Sequence, residues 1–148
     1  MKKILLALLV SMPGWVAASD LEVEQAWVRL VPPVSPNTAA YLMLHNNGKA
    51  DRVLVSATSD AASTVELHTV VERDGGMSMQ RLPQVEIPAE DCVLFKPGAN
   101  HIMFIGLKQP LKEGDMVKLT LQFKDGETME LSAPVKRSQG EEHKHHQH

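Results

Sequence analysis

The stretch from Val117 to Val135 narrows the possible folds more than any other. Val117, Leu119, Leu121 and Phe123 alternate with Lys118, Thr120, Gln122 and Lys124, and after Asp125-Gly126 the apolar residues Met129, Leu131, Ala133 and Val135 recur with the same period. A period of two puts the apolar set on one face of a strand, and Asp-Gly is a tight-turn pair, so this is a half-buried hairpin. The same pattern predicts strands over residues 24–30, 40–45, 52–56, 64–71, 77–82, 92–95 and 101–105. Between them stand turn signals: the proline-rich segment 31–36, Asn46-Asn47-Gly48, Asp74-Gly75-Gly76 and the loop 96–100. Helical periodicity is hard to find and nothing repeats. The chain has 148 residues, enough for one domain with a sizeable core. Many short strands separated by turns make an all-β protein, a β-sandwich or small Greek-key barrel.

The chemistry concentrates in one segment. Residues 68–103 hold His68, Met77, Met79, His101 and Met103. Imidazole nitrogen with thioether sulfur is a soft, mixed donor set that selects Cu(I) over oxygen-loving cations. Thioethers have no proton to lose and cannot be oxidised to disulfides. On a strand, His101 and Met103 share a face while Ile102 and Phe104 turn to the other, and Met77 and Met79 share a face likewise. Taken singly, each of these residues is read as ordinary packing or surface.

His68, Met79, His101 and Met103 resemble the His-x10-Met-x21-His-x-Met motif of the periplasmic copper chaperones called PCu(A)C. Ala39-Ala40-Tyr41, Val65-Glu66-Leu67-His68, Ile87-Pro88-Ala89, Lys96-Pro97-Gly98, Gly106-Leu107-Lys108 and Leu111-Lys112-Glu113-Gly114-Asp115 also look like segments of that family, and the likeness spans residues 21–135. Many members read Leu-His-x-Met at the first ligand. Thr69 and Val70 stand here instead, which removes an optional methionine and none of the four ligands. The resemblance implies a cupredoxin-like sandwich and a Cu(I) site of His68, Met79, His101 and Met103, with Met77 as a rim residue. It also implies a carrier, not an enzyme, that delivers copper toward cytochrome c oxidase or handles it with another copper chaperone.

The first 18 residues read as a secretory signal. Lys2-Lys3 precede an uncharged apolar run, Pro13 and Gly14 break it, and Val16-Ala17-Ala18 offers small residues before a cut near Ala18. The run is too short to span a bilayer. An exported, periplasmic protein that does not span the membrane is expected, with residues 19–135 as the copper-binding domain. No cysteine lies near the cut to carry a lipid. Without residues 1–18 the chain has thirteen basic and eighteen acidic residues, a net charge of −5, which argues against nucleic acid as a partner. No large apolar patch is evident in the pattern, and a monomer is expected. The single cysteine, Cys92, has no partner for a disulfide and apolar neighbours in Val93 and Leu94, so a buried, inert thiol is expected. Blue-copper sites pair a cysteine with nearby histidine and methionine on one loop, and the spacing of Cys92 from His101 does not fit.

Residues 136–148 are polar and end in a tract holding His143, His145, His146 and His148. Such a tract is expected to be disordered, and its imidazoles suit Cu(II) better than Cu(I), making a possible second metal site. Two other readings of the whole chain stand beside the carrier. One is an electron-transfer or catalytic cupredoxin, and the other a β-sandwich interaction module that binds no metal.

Overall fold

The computed structural model describes residues 19–138. Ten strands follow one another: β1 (Leu21–Arg29), β2 (Asn37–Asn46), β3 (Arg52–Thr58), β4 (Ala62–Arg73), β5 (Gly76–Arg81), β6 (Val85–Ile87), β7 (Asp91–Phe95), β8 (His101–Leu107), β9 (Met116–Phe123) and β10 (Thr128–Lys136). Among the described residues there is no helix, and none long and apolar enough to cross a membrane. The strands form an open sheet folded on itself into a sandwich, as the alternation predicts. One layer runs β5-β4-β8-β2-β1, the other β10-β9-β3-β6, and a short parallel pairing of β1 with β10 joins them.

The core lies between the layers. Ala40, Leu42 and Leu44 of β2, Leu67 of β4 and Ile102 and Phe104 of β8 face Leu54 of β3, Leu119, Leu121 and Phe123 of β9 and Val135 of β10. The alternate residues of β2, β4 and β8 must therefore project outward, and it is this outer face that carries the histidines. Two irregularities shape it. In β1 the register shifts between Glu24 and Trp27, with Gln25 at φ 54°. The extra residue of this bulge turns Trp27 to the outer face, where its ring centroid lies 4.8 Å from that of Tyr41.

The second irregularity is on β2, whose edge is covered by β7 and β8 in succession. Leu42 pairs with Phe95 and Ala40 with Ile102, so the loop 96–100 leaves the ladder opposite Tyr41. Gly98 takes φ 81° there, a conformation that side chains rarely adopt. Strand β6 was not expected. The three residues Val85–Ile87 are too few to show alternation, and β6 is fixed by its pairing with β3.

Arg52 of β3 clips the β9–β10 turn. Its guanidinium reaches Asp125 at 2.7 Å, meets Glu127 and sits over the Phe123 ring. The hydrogen bond from Arg52, aided by one from Ser19, holds the Glu127 carboxyl below its ordinary value of 4.5. A lowered folded pKa gives stability that is present above the unfolded value and lost as pH falls through the folded one. Glu127→Gln should therefore cost about 0.5 kcal/mol at neutral pH, the scale of a partly exposed pair. Urea unfolding of parent and variant should show that difference shrink progressively once the pH falls below 4.5.

Candidate metal centre

The four candidate ligands come from three strands of one layer, and the register brings them to its outer face. His68 on β4 lies directly opposite His101 on β8, and Glu66 lies opposite Met103. Met79 on β5 pairs with Val70, two residues beyond His68. Opposed residues share a face and the side-chain period is two, so these six side chains project together. The imidazole centroids are 5.7 Å apart, with the rings inclined by 40°. Met79, His101 and Met103 line one cavity of about 220 Å³, together with Tyr41, Val70 and Arg29.

Each imidazole is tied down by one nitrogen and leaves the other bare. His101 Nδ1 lies 2.9 Å from the carbonyl oxygen of Ala99, in the loop before β8. A carbonyl can only accept, so Nδ1 carries the proton, and in the neutral ring Nε2 keeps its lone pair. His68 Nε2 lies 2.7 Å from Glu66 Oε2. The ionised carboxylate also only accepts, so here the bare nitrogen is Nδ1. Both bare atoms, His101 Nε2 and His68 Nδ1, are buried and have no hydrogen-bond partner. Leaving such an atom unpaired costs about 1–3 kcal/mol, a debt a metal ion would cancel.

The donor chemistry narrows which metal. Among the described residues, no three His, Cys, Asp or Glu side chains come together in a way that could hold an ion. What shares the cavity with the His101 imidazole is thioether sulfur, so the fit is to a soft, low-charge metal. Tyr41 adds no anionic oxygen, because burial pushes its phenol pKa up and the nearby Arg29 only partly offsets this. With Trp27 and Ala39 it forms a buried apolar pad, and Ala39 lies opposite Met103.

The rim residue Met77 and the other histidine and sulfur side chains lie elsewhere. Met77 shares the outer face but pairs with Glu72 nearer the β4–β5 turn, is 70% exposed and does not line the cavity. His45 sits at the far end of β2, its Nε2 3.2 Å from Glu24. Cys92 is exposed, not buried as expected. It pairs with His45 on the outer face, and its neighbour Val93, opposite Leu44, is the residue that turns inward. Cys92 and Met103 pair with positions six residues apart on β2, roughly 20 Å along the strand, so the thiol is remote from the candidate ligands. Met116 is exposed because Val117 takes the inward position, whereas Met129 packs against the core. The tail histidines His143, His145, His146 and His148 and the signal segment 1–18 lie outside the described residues. Glu66 is the site residue to which the sequence reading gave no role. The signal was a carboxylate two positions before a histidine on a predicted strand, hence on the same face.

Comparison with known proteins agrees with the fold and with the family resemblance. The family model for LpqE-like proteins, described as lipoproteins, matches residues 21–135. A protein from Leifsonia xyli subsp. xyli named as a lipoprotein, Lxx21020, is 39% identical over 124 residues, 83% of this chain and 74% of its own length. The solution structure of apo-DR1885 from Deinococcus radiodurans superposes with a TM-score of 0.65 at 31% identity, covering 93% of both chains. The Cu(I) form of DR1885 gives 0.63 at 33% identity, over 81% of this chain and 78% of that one. A copper-bound PCuAC domain from PmoF2 shares the fold with a TM-score of 0.69 at 18% identity, over 82% of this chain and 97% of that domain.

The division of β8 into an inward and an outward face has a measurable consequence. Ile102 is fully buried between the layers, whereas Met103 faces the cavity. Ile102→Ala should destabilise the fold by about 2–5 kcal/mol. Met103→Ala should cost well under half of that, as read from urea midpoints of the metal-free protein.

Proposed function

This chain belongs to the LpqE-like family, which is the PCuAC-like family, and from that premise we propose that it is an exported copper chaperone. It holds Cu(I) through His68 Nδ1, His101 Nε2 and the thioethers of Met79 and Met103, and it releases the ion by ligand exchange. One observation carries the reading: two buried imidazole nitrogens without partners stand on adjacent strands, and one of them, on His101, belongs to a ring that shares a cavity with two thioethers. A shell of four protein donors leaves no open position for a substrate, which favours a carrier over an enzyme. The Cu(I) form of a relative a third identical in sequence supports the oxidation state.

The burial gradient sets the order of release. Met79, on the terminal strand of its layer, is 59% exposed, while His101 is 4% exposed. An acceptor's soft donor therefore replaces the Met79 thioether first and the His101 imidazole last. The acceptor is another copper protein of the periplasm, such as cytochrome c oxidase or a second chaperone. Cleavage near Ala18 frees residues 19–135 as the copper-binding domain, and the lipoprotein name of the Leifsonia relative supports export. The tail histidines His143, His145, His146 and His148 form a second, Cu(II)-binding site. Lys136 pairs with Arg29, which lines the cavity, and ten residues follow Ser138. At about 3.3 Å per residue they are long enough to bring the tail to the site.

Titration with Cu(I) against a competing chelator tests the body site. The parent should bind one Cu(I) per chain without visible absorption. His101→Ala and Met103→Ala should each weaken binding at least tenfold, and Cys92→Ser should leave it unchanged. Parent-like affinity in both ligand variants would show the site to be misassigned. A strong visible band lost in Cys92→Ser would establish a thiolate electron-transfer site instead. Protein that ignores copper altogether would favour the interaction module.

For the tail, a chain ending at Ser138 keeps the Lys136 carbonyl that accepts from Leu30 N–H. Against the full chain it should lose Cu(II) capacity and keep its single Cu(I). Equal Cu(II) uptake by both would remove the tail from the account.

A further inference from the structure

We infer that Glu66 is the positioning residue of this site, the group that decides which nitrogen of His68 faces the copper. The inference rests on the copper reading above and extends it. A histidine on an outer sheet face can present either ring nitrogen, since the ring can flip and the neutral form has two tautomers. In the arrangement observed, the nitrogen left bare and buried is Nδ1, on a ring whose centroid is 5.7 Å from that of His101. Glu66 removes the choice. It stands two residues before His68 on the same strand, hence on the same face, and its Oε2 lies 2.7 Å from His68 Nε2.

The carboxylate is itself held. Its side chain is largely buried, and Oε1 lies 3.8 Å from Arg81 Nε, on the residue of β5 opposite His68. Glu66 is thus in hydrogen-bond contact with the histidine it orients, with the exposed Arg81 cation of the neighbouring strand at the outer limit of an ion pair. His101 is fixed differently, by the backbone carbonyl of Ala99. The two rings consequently offer unlike nitrogens, Nδ1 from His68 and Nε2 from His101. Only the first choice depends on a side chain, which makes it open to mutation. A carboxylate on the far nitrogen also raises the basicity of the ligating one, and its charge favours the more highly charged state of a bound metal.

Two variants of the full chain separate these effects. In Glu66→Gln the amide oxygen still accepts from Nε2–H but the charge is gone, and in Glu66→Leu both are gone. Nitrogen-15 NMR of the metal-free proteins should find the His68 proton on Nε2 in the parent and in Glu66→Gln. In Glu66→Leu the two tautomers should be mixed. Cu(I) affinity should fall by about 10–100-fold in Glu66→Leu, the range for loss of such a partner, and by less in Glu66→Gln. The Cu(II)/Cu(I) potential of Glu66→Gln should move in the positive direction, a change that loss of packing alone would not produce.

A parent with the His68 proton on Nδ1 would overturn the inference, as would a folded Glu66→Leu chain with parental Cu(I) affinity. Should Glu66→Leu fail to fold, the parent tautomer and the potential of Glu66→Gln decide it. A parent that binds no Cu(I) would sink the copper reading instead, while the tautomer in the metal-free chain would still report on Glu66.

Discussion

Everything at the candidate centre depends on the pairing of His68 with His101 across β4 and β8. Thirty-two residues separate them in the chain, and a single register brings the rings to 5.7 Å. A slip of one residue would turn one of the two to the opposite face. What prevents the slip is not the histidines but the residues between them and their neighbours. Leu67 lies opposite Ile102, both are buried in the core, and Phe104 follows on the same inward face. Burying such side chains contributes about 1.5–3 kcal/mol each, and a slip would expose them. The inner face locks the register, and the outer face inherits a site whose bare nitrogens the fold alone does not satisfy.

The loop 96–100 is the second device. Because β7 and β8 lie along the same edge of β2, the chain must leave the ladder opposite Tyr41 and rejoin it at β8. On its way back it presents the Ala99 carbonyl to His101. A backbone group thus sets one imidazole and a side chain, Glu66, sets the other. Arg29, Tyr41 and Trp27 close the neighbouring ground with a buried aromatic pad and a cation stacked on it, Arg29 lying 5.4 Å from the Tyr41 ring. The protein can be built this way because the main core sits on the opposite side of the layer, leaving the outer face free for chemistry.

Much of this was legible in the residues. The hairpin of Val117 to Phe123 with Met129 to Val135 forms as its alternation and its Asp-Gly turn predict, and Ile102 and Phe104 pack while His101 and Met103 turn away. What was not legible depends on long-range pairing. The collinear run of β7 and β8 cannot be seen in local periodicity, nor can β6, which exists because β3 has a free edge. Cys92 looked buried because Val93 and Leu94 are apolar, but the alternation gave the inward position to Val93. The choice of Met79 over Met77 came from the motif spacing, and the register supplies its physical reason. Both share a face, but Met79 pairs with Val70 and lines the cavity with His101, whereas Met77 pairs with Glu72 and does not. Glu66 went unread because a carboxylate on a strand face has an ordinary solvent role until its partner is known.

X-ray absorption of the full chain carrying one equivalent of Cu(I) tests the central claim most directly, since it reads the donor atoms themselves. The account predicts a copper ion with two imidazole nitrogens and two thioether sulfurs in its shell. A shell of nitrogen and oxygen alone, or one with a short thiolate sulfur, would contradict it.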